Sequence, residues 1–120
     1  MDEKLAVETI SEGHIGVVVF KATSLSNSEG IAIAAEQIRE FIEKSHPEKL
    51  IFDFGGVKFF SSQVLGLLLE VRAKLQAYEG EVVISAIEPH LHRIFRITNL
   101  DKIFKFFPDR ESAVKSMSPN

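Results

Sequence analysis

The chain has 120 residues, 45% of them hydrophobic and 26% charged, with a formal net charge of -3 and no cysteine. That length is one domain's worth, sufficient to bury a core of its own, and the absence of cysteine excludes disulfides and thiol nucleophiles and fits a reducing compartment. The acidic balance, with Lys and Arg interleaved among Glu and Asp, argues against nucleic acid as a partner, because phosphate recognition needs a basic stripe.

Leu5 to Ile10 alternates apolar and polar residues, Gly13 marks a turn, and Ile15 to Phe20 is a β-branched run. The pair reads as an opening hairpin whose second strand is buried on both faces. The polar loop from Ser24 to Gly30 holds three N-cap candidates, Ser26, Asn27 and Ser28. From Ile31 the period becomes helical, with Ile31, Ala35, Ile38 and Ile42 on one face. That helix stops before His46-Pro47, since proline disfavours helical geometry in the residue before it.

Leu50 to Phe54 is a short apolar strand ending at Gly55-Gly56. Phe59-Phe60-Ser61-Ser62-Gln63 then leads into a second helix whose buried face is Val64, Leu67, Leu68, Val71 and Leu75. Gly80 stands where that helix would end, and Glu81 to Ile87 is the next strand. Pro89 opens a third helix with Leu91, Ile94 and Phe95 inward, and Asn99 closes it as a left-handed residue would. Ile103 to Phe107 is a last short strand, and Asp109 caps a final helix through Met117. The domain therefore spans 5–117, with short tails at 1–4 and 118–120. After the hairpin the order is a β-α-β alternation, which predicts an α/β fold with a mixed four- to five-stranded sheet, parallel crossovers and about four helices.

No apolar run approaches the roughly 20 residues of a membrane span. The start, with Asp2 and Glu3, lacks the order of a signal peptide, so a cytoplasmic protein with no membrane contact is expected. Phe59-Phe60 and the end Phe104, Phe106 and Phe107 are dense enough to raise the prospect of an exposed apolar patch.

The segment from Asp53 to Gly66 is the leading candidate site, because in parallel α/β sheets ligands and partners meet the loops at the carboxyl ends of strands. Ser61 and Ser62 precede a strong helix. They are either caps, accepting a bond from a free backbone N–H, or a phosphorylation switch. A phosphate there would sit at the positive end of the helix dipole yet place about −2 charge on a docking surface. Asp53 lacks the acidic pair that a receiver-type phosphoacceptor needs, so a strand-end carboxylate bonding loop amides or facing solvent is expected. His90 and His92 are two apart and point to different sides of a helix, while His14 and His46 lie in loops; solvated histidines and no metal are expected. No Gly-x-Ser-x-Gly elbow or glycine-rich phosphate loop is present, and no nucleophile, base and oxyanion donor can be assembled, so neither an enzyme nor a cofactor is expected.

The stretch Leu50-Ile-Phe-Asp-Phe-Gly-Gly-Val-Lys-Phe-Phe-Ser-Ser-Gln-Val-Leu-Gly-Leu-Leu-Leu resembles the centre of STAS domains, found in bacterial anti-anti-sigma factors and in the tails of sulfate transporters. In that family a hydrophobic strand ending in Asp-Leu is followed by a short loop, then Asp-Ser-Ser-Gly-Leu-Gly and an apolar helix. Glu81-Val-Val-Ile-Ser-Ala-Ile-Glu-Pro is similar to the family's fourth strand. Arg93-Ile-Phe-Arg-Ile-Thr-Asn-Leu-Asp-Lys-Ile-Phe resembles its arginine, apolar pair and Thr-Gly-Leu segment, and Glu111-Ser-Ala-Val its last helix. The resemblance runs from about Leu5 to Met117 in the same order of elements.

This likeness implies a STAS fold and an anti-sigma-factor antagonist, a signalling and transcription-regulating module that binds a serine kinase/anti-sigma factor of the GHKL type. The implied contact set is Ser26, Phe60, Ser61, Ser62, Gln63 and Val64. In phospho-regulated members the kinase target is the second serine of the motif, and ungapped alignment puts Gln63 at that position, with Ser61 at the family's Asp, Ser62 at its first Ser and Val64 at its Gly. Leu25-Ser26 stands at the family's Leu-Asp. The resemblance therefore implies that the standard switch is lost, or moved to Ser62 or Ser61. The other reading is a scaffold or ligand-sensing STAS domain that self-associates as a homodimer through Phe104, Phe106 and Phe107.

Overall fold

The β-branched run of Ile15–Phe20 becomes strand β2, and its position inside the sheet is what its nearly continuous apolar character requires. It pairs antiparallel with β1 (Val7–Glu12), from Glu12 opposite Ile15 to Val7 opposite Phe20. Gly13, at φ +61°, makes the tight reversal between them. The computed structural model describes residues 7–117. The expected start of the first strand at Leu5 and the expected tails at 1–4 and 118–120 lie outside the described residues.

Every later strand of the main sheet runs parallel to β2. They are β4 (Lys49–Asp53), β6 (Glu81–Ser85) and β7 (Lys105–Phe107), in the order β1-β2-β4-β6-β7. A separate two-residue pair joins β3 (Ser24–Leu25) to β5 (Phe59–Phe60), also parallel. Helices α1 (Ser28–Ser45), α2 (Ser62–Gln76) and α3 (Pro89–Ile97) make the crossovers, and α4 (Arg110–Met117) closes the chain.

Side chains alternate across a strand, so the sheet has two apolar faces. Val18, Phe20, Leu50, Phe52, Val82 and Ile84 pack with the apolar stripes of α1, α2 and α3 in the larger core. Ile15, Val17, Ile51 and Val83 face the other way and are covered by Ala113 and Met117 of α4. On α1 the stripe Ile31, Ala35, Ile38 and Ile42 is buried, as is Val64, Leu67, Leu68, Val71 and Leu75 on α2. Helix α1 sits over the β1 edge, where the Val7 N–H donates to Gln37 Oε1 at 3.2 Å. Helix α3 sits at the β7 edge, where the rings of Phe95 and Phe106 meet at 5.2 Å.

Several details depart from the periodic reading, among them the strand expected over Glu81 to Ile87, which ends at Ser85 where Ala86 turns left-handed at φ 58°. The last strand begins at Lys105 rather than Ile103, because left-handed Asn99 (φ 65°) is followed by a 3-10 turn over Leu100–Lys102. Gly80 is not the left-handed residue after α2; Glu79 is, at φ 68°. Gly80 instead donates its N–H to Leu75 O at 2.7 Å and is packed so closely that a Cβ would lie 3.0 Å from Glu48 O. The Phe-rich end is no open patch: Phe104 is 2% exposed, and Phe106 and Phe107 are half-buried against the two cores.

Candidate functional site

The parallel strands β2, β4 and β6 all end at one edge of the sheet, and α1, α2 and α3 all start from it. At that edge the β3–β5 pair draws the loop before α1 onto the loop before α2. Three further backbone bonds hold the join: Lys58 N–H and Phe59 N–H donate to Thr23 O at 2.7 and 3.2 Å, and Ser61 N–H donates to Leu25 O at 3.0 Å. The Ser28 hydroxyl then donates to Gln63 Oε1 at 3.1 Å across the gap. Residues 35 apart in sequence thus form one exposed rim with the N-termini of α1 and α2 side by side.

Each site residue has a distinct place on this rim. Ser26 is exposed in the loop before α1, its hydroxyl 2.9 Å from that of Ser24. Of the three N-cap candidates, Asn27 takes the role, accepting from Gly30 N–H at 2.9 Å. Ser62 and Gln63 are exposed in the first turn of α2. Ser61 occupies the N-cap position, but its side chain makes no capping bond, and its Oγ is buried without a partner. The expected hydroxyl cap on α2 is therefore absent at Ser61.

Phe60 is half-buried, its ring edge-on to Phe54 and Phe95 at 5.9 Å each. Its neighbour Phe59 points outward and is 64% exposed. Val64 is 1% exposed and lies in the core beneath the rim, so its side chain is not part of the outer surface. Phe59 was open to sequence reasoning, since adjacent residues of a strand point to opposite faces and two phenylalanines cannot both turn inward.

Next to the rim, Lys58 Nζ donates to Glu88 Oε2 at 2.7 Å, and the Glu88 carboxyl is held below its ordinary value chiefly by that bond. His90 Nε2 lies 2.9 Å from Lys58 O, tying the start of α3 to the same loop. His46 and His92 are not simply solvated: they lie against Tyr78 and Phe106, with ring centroids 4.3 and 4.2 Å apart. Among the described residues no group of three His, Asp or Glu could hold a metal ion, and no helix is long and apolar enough to cross a membrane.

On the opposite face of the sheet, Asp53 is buried at the end of β4. It accepts from Gly55 N–H at 2.8 Å and from Arg110 Nε at 2.9 Å. The loop amide was expected; the arginine, 57 residues away at the start of α4, was not. Asp109 caps α4 by accepting from Ser112 N–H at 2.7 Å, which holds its carboxyl below the usual value.

An opening hairpin feeding parallel crossovers, with two helix N-termini gathered at the carboxyl edge of the strands, defines a single-layered-sheet α/β module whose exposed feature is a polar rim. The chain belongs to the STAS domain family, whose model matches residues 8–113. It is 24% identical over 98 residues to BtrV of Bordetella bronchiseptica, named as an anti-sigma factor antagonist, covering 82% of this chain and 84% of that one. It is 21% identical over 106 residues to an anti-sigma F factor antagonist of Paenibacillus polymyxa, covering 88% and 91%. An anti-sigma-factor antagonist STAS domain protein from Planctomyces limnophilus has the same fold, with a TM-score of 0.84 at 19% identity over 93% of this chain and 97% of that one. The chain is thus a STAS domain similar to proteins named as anti-sigma factor antagonists.

Proposed function

We propose that this chain is an anti-sigma factor antagonist that docks on a serine kinase/anti-sigma factor of the GHKL type through the rim of Ser26, Phe60, Ser61, Ser62 and Gln63. It acts in the cytoplasm by binding alone, without catalysis or a cofactor, and its docking frees the sigma factor. The observation that supports this reading most is the Ser28–Gln63 hydrogen bond of 3.1 Å, which joins the start of α1 to the start of α2 between two exposed residues.

Docking on this rim is constitutive. Gln63 has no hydroxyl to phosphorylate and no charge, so it resembles the unmodified state at the position where the family's phosphoserine stands. Ser61 is a poor substitute because its Oγ is buried. Ser62 has the exposed hydroxyl, and a phosphate on it would be the only way left within this motif to put about −2 charge on the rim.

The test is to incubate the protein with candidate kinase/anti-sigma partners and ATP, measuring complex by pull-down and phosphate by mass spectrometry. A stable complex with no phosphate on the protein is the expected result. Phosphate on Ser62 together with loss of the complex overturns constitutive docking, and failure to bind any such partner overturns the assignment of partner.

A further inference from the structure

Two helices carry opposite charge on their outer faces, at opposite edges of the sheet. On α1, Glu29, Ile33, Glu36 and Glu40 follow one another at steps of four, three and four and are all exposed, with Ile33 at 49%. Glu36 is 3.5 Å from Arg39, which is mainly engaged with Glu70; Lys44 lies one turn beyond Glu40. On α3, Arg93, Arg96 and Ile97 are exposed on the face opposite buried Leu91 and Phe95, and Ile97 at 71% is the most exposed large apolar side chain among the described residues. Among the described residues neither Arg93 nor Arg96 has an ion pair or side-chain hydrogen bond.

Each face therefore sets one protruding isoleucine among charges of mainly one sign, acidic on α1, where Arg39 is drawn toward Glu70, and basic on α3. Because α1 covers the β1 edge and α3 the β7 edge, one chain cannot bring its own two faces together. A second copy can.

We propose that the outer face of α3 is an interaction surface for the outer face of α1 in another copy of this chain, giving head-to-tail self-association. Ile97 packs beside Ile33, Arg93 and Arg96 lie against Glu36 and Glu40, and the contact leaves a free α1 and a free α3 at the two ends. Such a heterologous contact does not stop at two chains unless the rotation closes a ring. Two helix faces bury less than the roughly 1,200 Å² of a stable interface, so the association is weak and dynamic, and it lies in the micromolar-to-millimolar range. Its contacts at Ile33, Glu36 and Glu40 lie beyond the first turn of α1, which borders the docking rim, so it stands or falls separately from the proposed partner.

Sedimentation velocity on the full chain from about 0.01 to 1 mM tests it. The weight-average mass is expected to rise with concentration beyond two chains, and to fall back when salt is raised to about 0.5 M, where exposed charges are screened. The variant R93E/R96E has acidic faces on both helices and stays monomeric; E36K/E40K, whose α1 then carries Lys at 36, 40 and 44, has mainly basic faces on both and stays monomeric. An equimolar mixture of the two recovers association. Circular dichroism confirms that both variants fold, as their exposed positions require. A mass independent of concentration, association that survives R93E/R96E, or a mixture that stays monomeric overturns the proposal. A dilution series followed by amide NMR is the second check: shifts must concentrate on α1 and α3, and shifts elsewhere overturn it.

Discussion

Arg39 on α1 and Glu70 on α2 meet at two points, Nε to Oε2 at 2.7 Å and Nη2 to Oε1 at 3.1 Å. This two-pronged contact ties the outer face of α1 to that of α2, above the apolar stripes that pack the two helices on the sheet. The Glu70 carboxyl is held below its ordinary value of 4.5, first by the Arg39 hydrogen bond. Both side chains are about two-fifths exposed, so solvent and salt screen the pair and its contribution to stability is small.

The sign of its pH dependence follows from that lowered value. The contribution is complete above the unfolded carboxyl's range and is lost as pH falls through the lower folded value. E70Q is expected to reduce thermal stability near neutral pH by a few degrees at most and to flatten the acid limb of the stability curve. Thermal melts of both proteins between about pH 2 and 7 check this; equal acid slopes would contradict it.

Arg110 is held by a buried carboxylate, so its removal harms the carboxylate more than itself. R110M leaves Asp53 with Gly55 N–H as its remaining partner and is expected to cost about 1–3 kcal/mol. D53N/R110M together should cost less than the two single changes summed, because the pair no longer leaves a charge unmatched. Urea unfolding of the four proteins in the cycle measures the coupling, and strict additivity would show the contact to be inert.

Val64 and Ser62 separate the core from the surface of the same helical turn. V64A removes two methyl groups from a side chain 1% exposed and is expected to cost about 1–3 kcal/mol. Once corrected for the folded fraction, its partner affinity should be unchanged. S62A should leave stability within about 0.5 kcal/mol and act on docking. Unfolding curves paired with titration calorimetry distinguish the two.

Gln63 offers the most direct probe of the rim. Q63D puts a carboxylate at an exposed first-turn position, which favours the helix dipole and leaves stability unchanged or slightly raised. Its effect on docking should be the reverse, a weakening of about tenfold or more through desolvation and like-charge contact. Q63S, which supplies the missing hydroxyl, should acquire phosphate from a partner kinase under conditions where the parent protein acquires none. Mass spectrometry after incubation with ATP reads this out.

Most of the fold was legible because it rests on periodicity. Ile31, Ala35, Ile38 and Ile42 mark a helix whatever surrounds them, and a β-branched run such as Ile15–Phe20 has few other places to go. What escaped was of two kinds. Strands of two residues, such as Ser24–Leu25 and Phe59–Phe60, are too short to show a period, so the pairing that assembles the site was invisible. Contacts such as Asp53–Arg110 and Arg39–Glu70 join residues distant in sequence, and no local pattern announces them. Val64 satisfied two descriptions at once, a step in an apolar helical stripe and a position in a family motif, and burial decides for the first.

The β3–β5 pairing has a kinetic and entropic consequence for binding. Two loops that would otherwise wander separately are stitched into one surface before any partner arrives, by strand pairing and by the bonds from Lys58, Phe59 and Ser61 to Thr23 and Leu25. The proposed partner would then meet a preformed backbone and would not have to order these loops on contact, which lowers the entropic cost of association. Encounter should accordingly proceed with little rearrangement of this backbone, and differences in affinity among rim variants should be carried by how fast the complex comes apart.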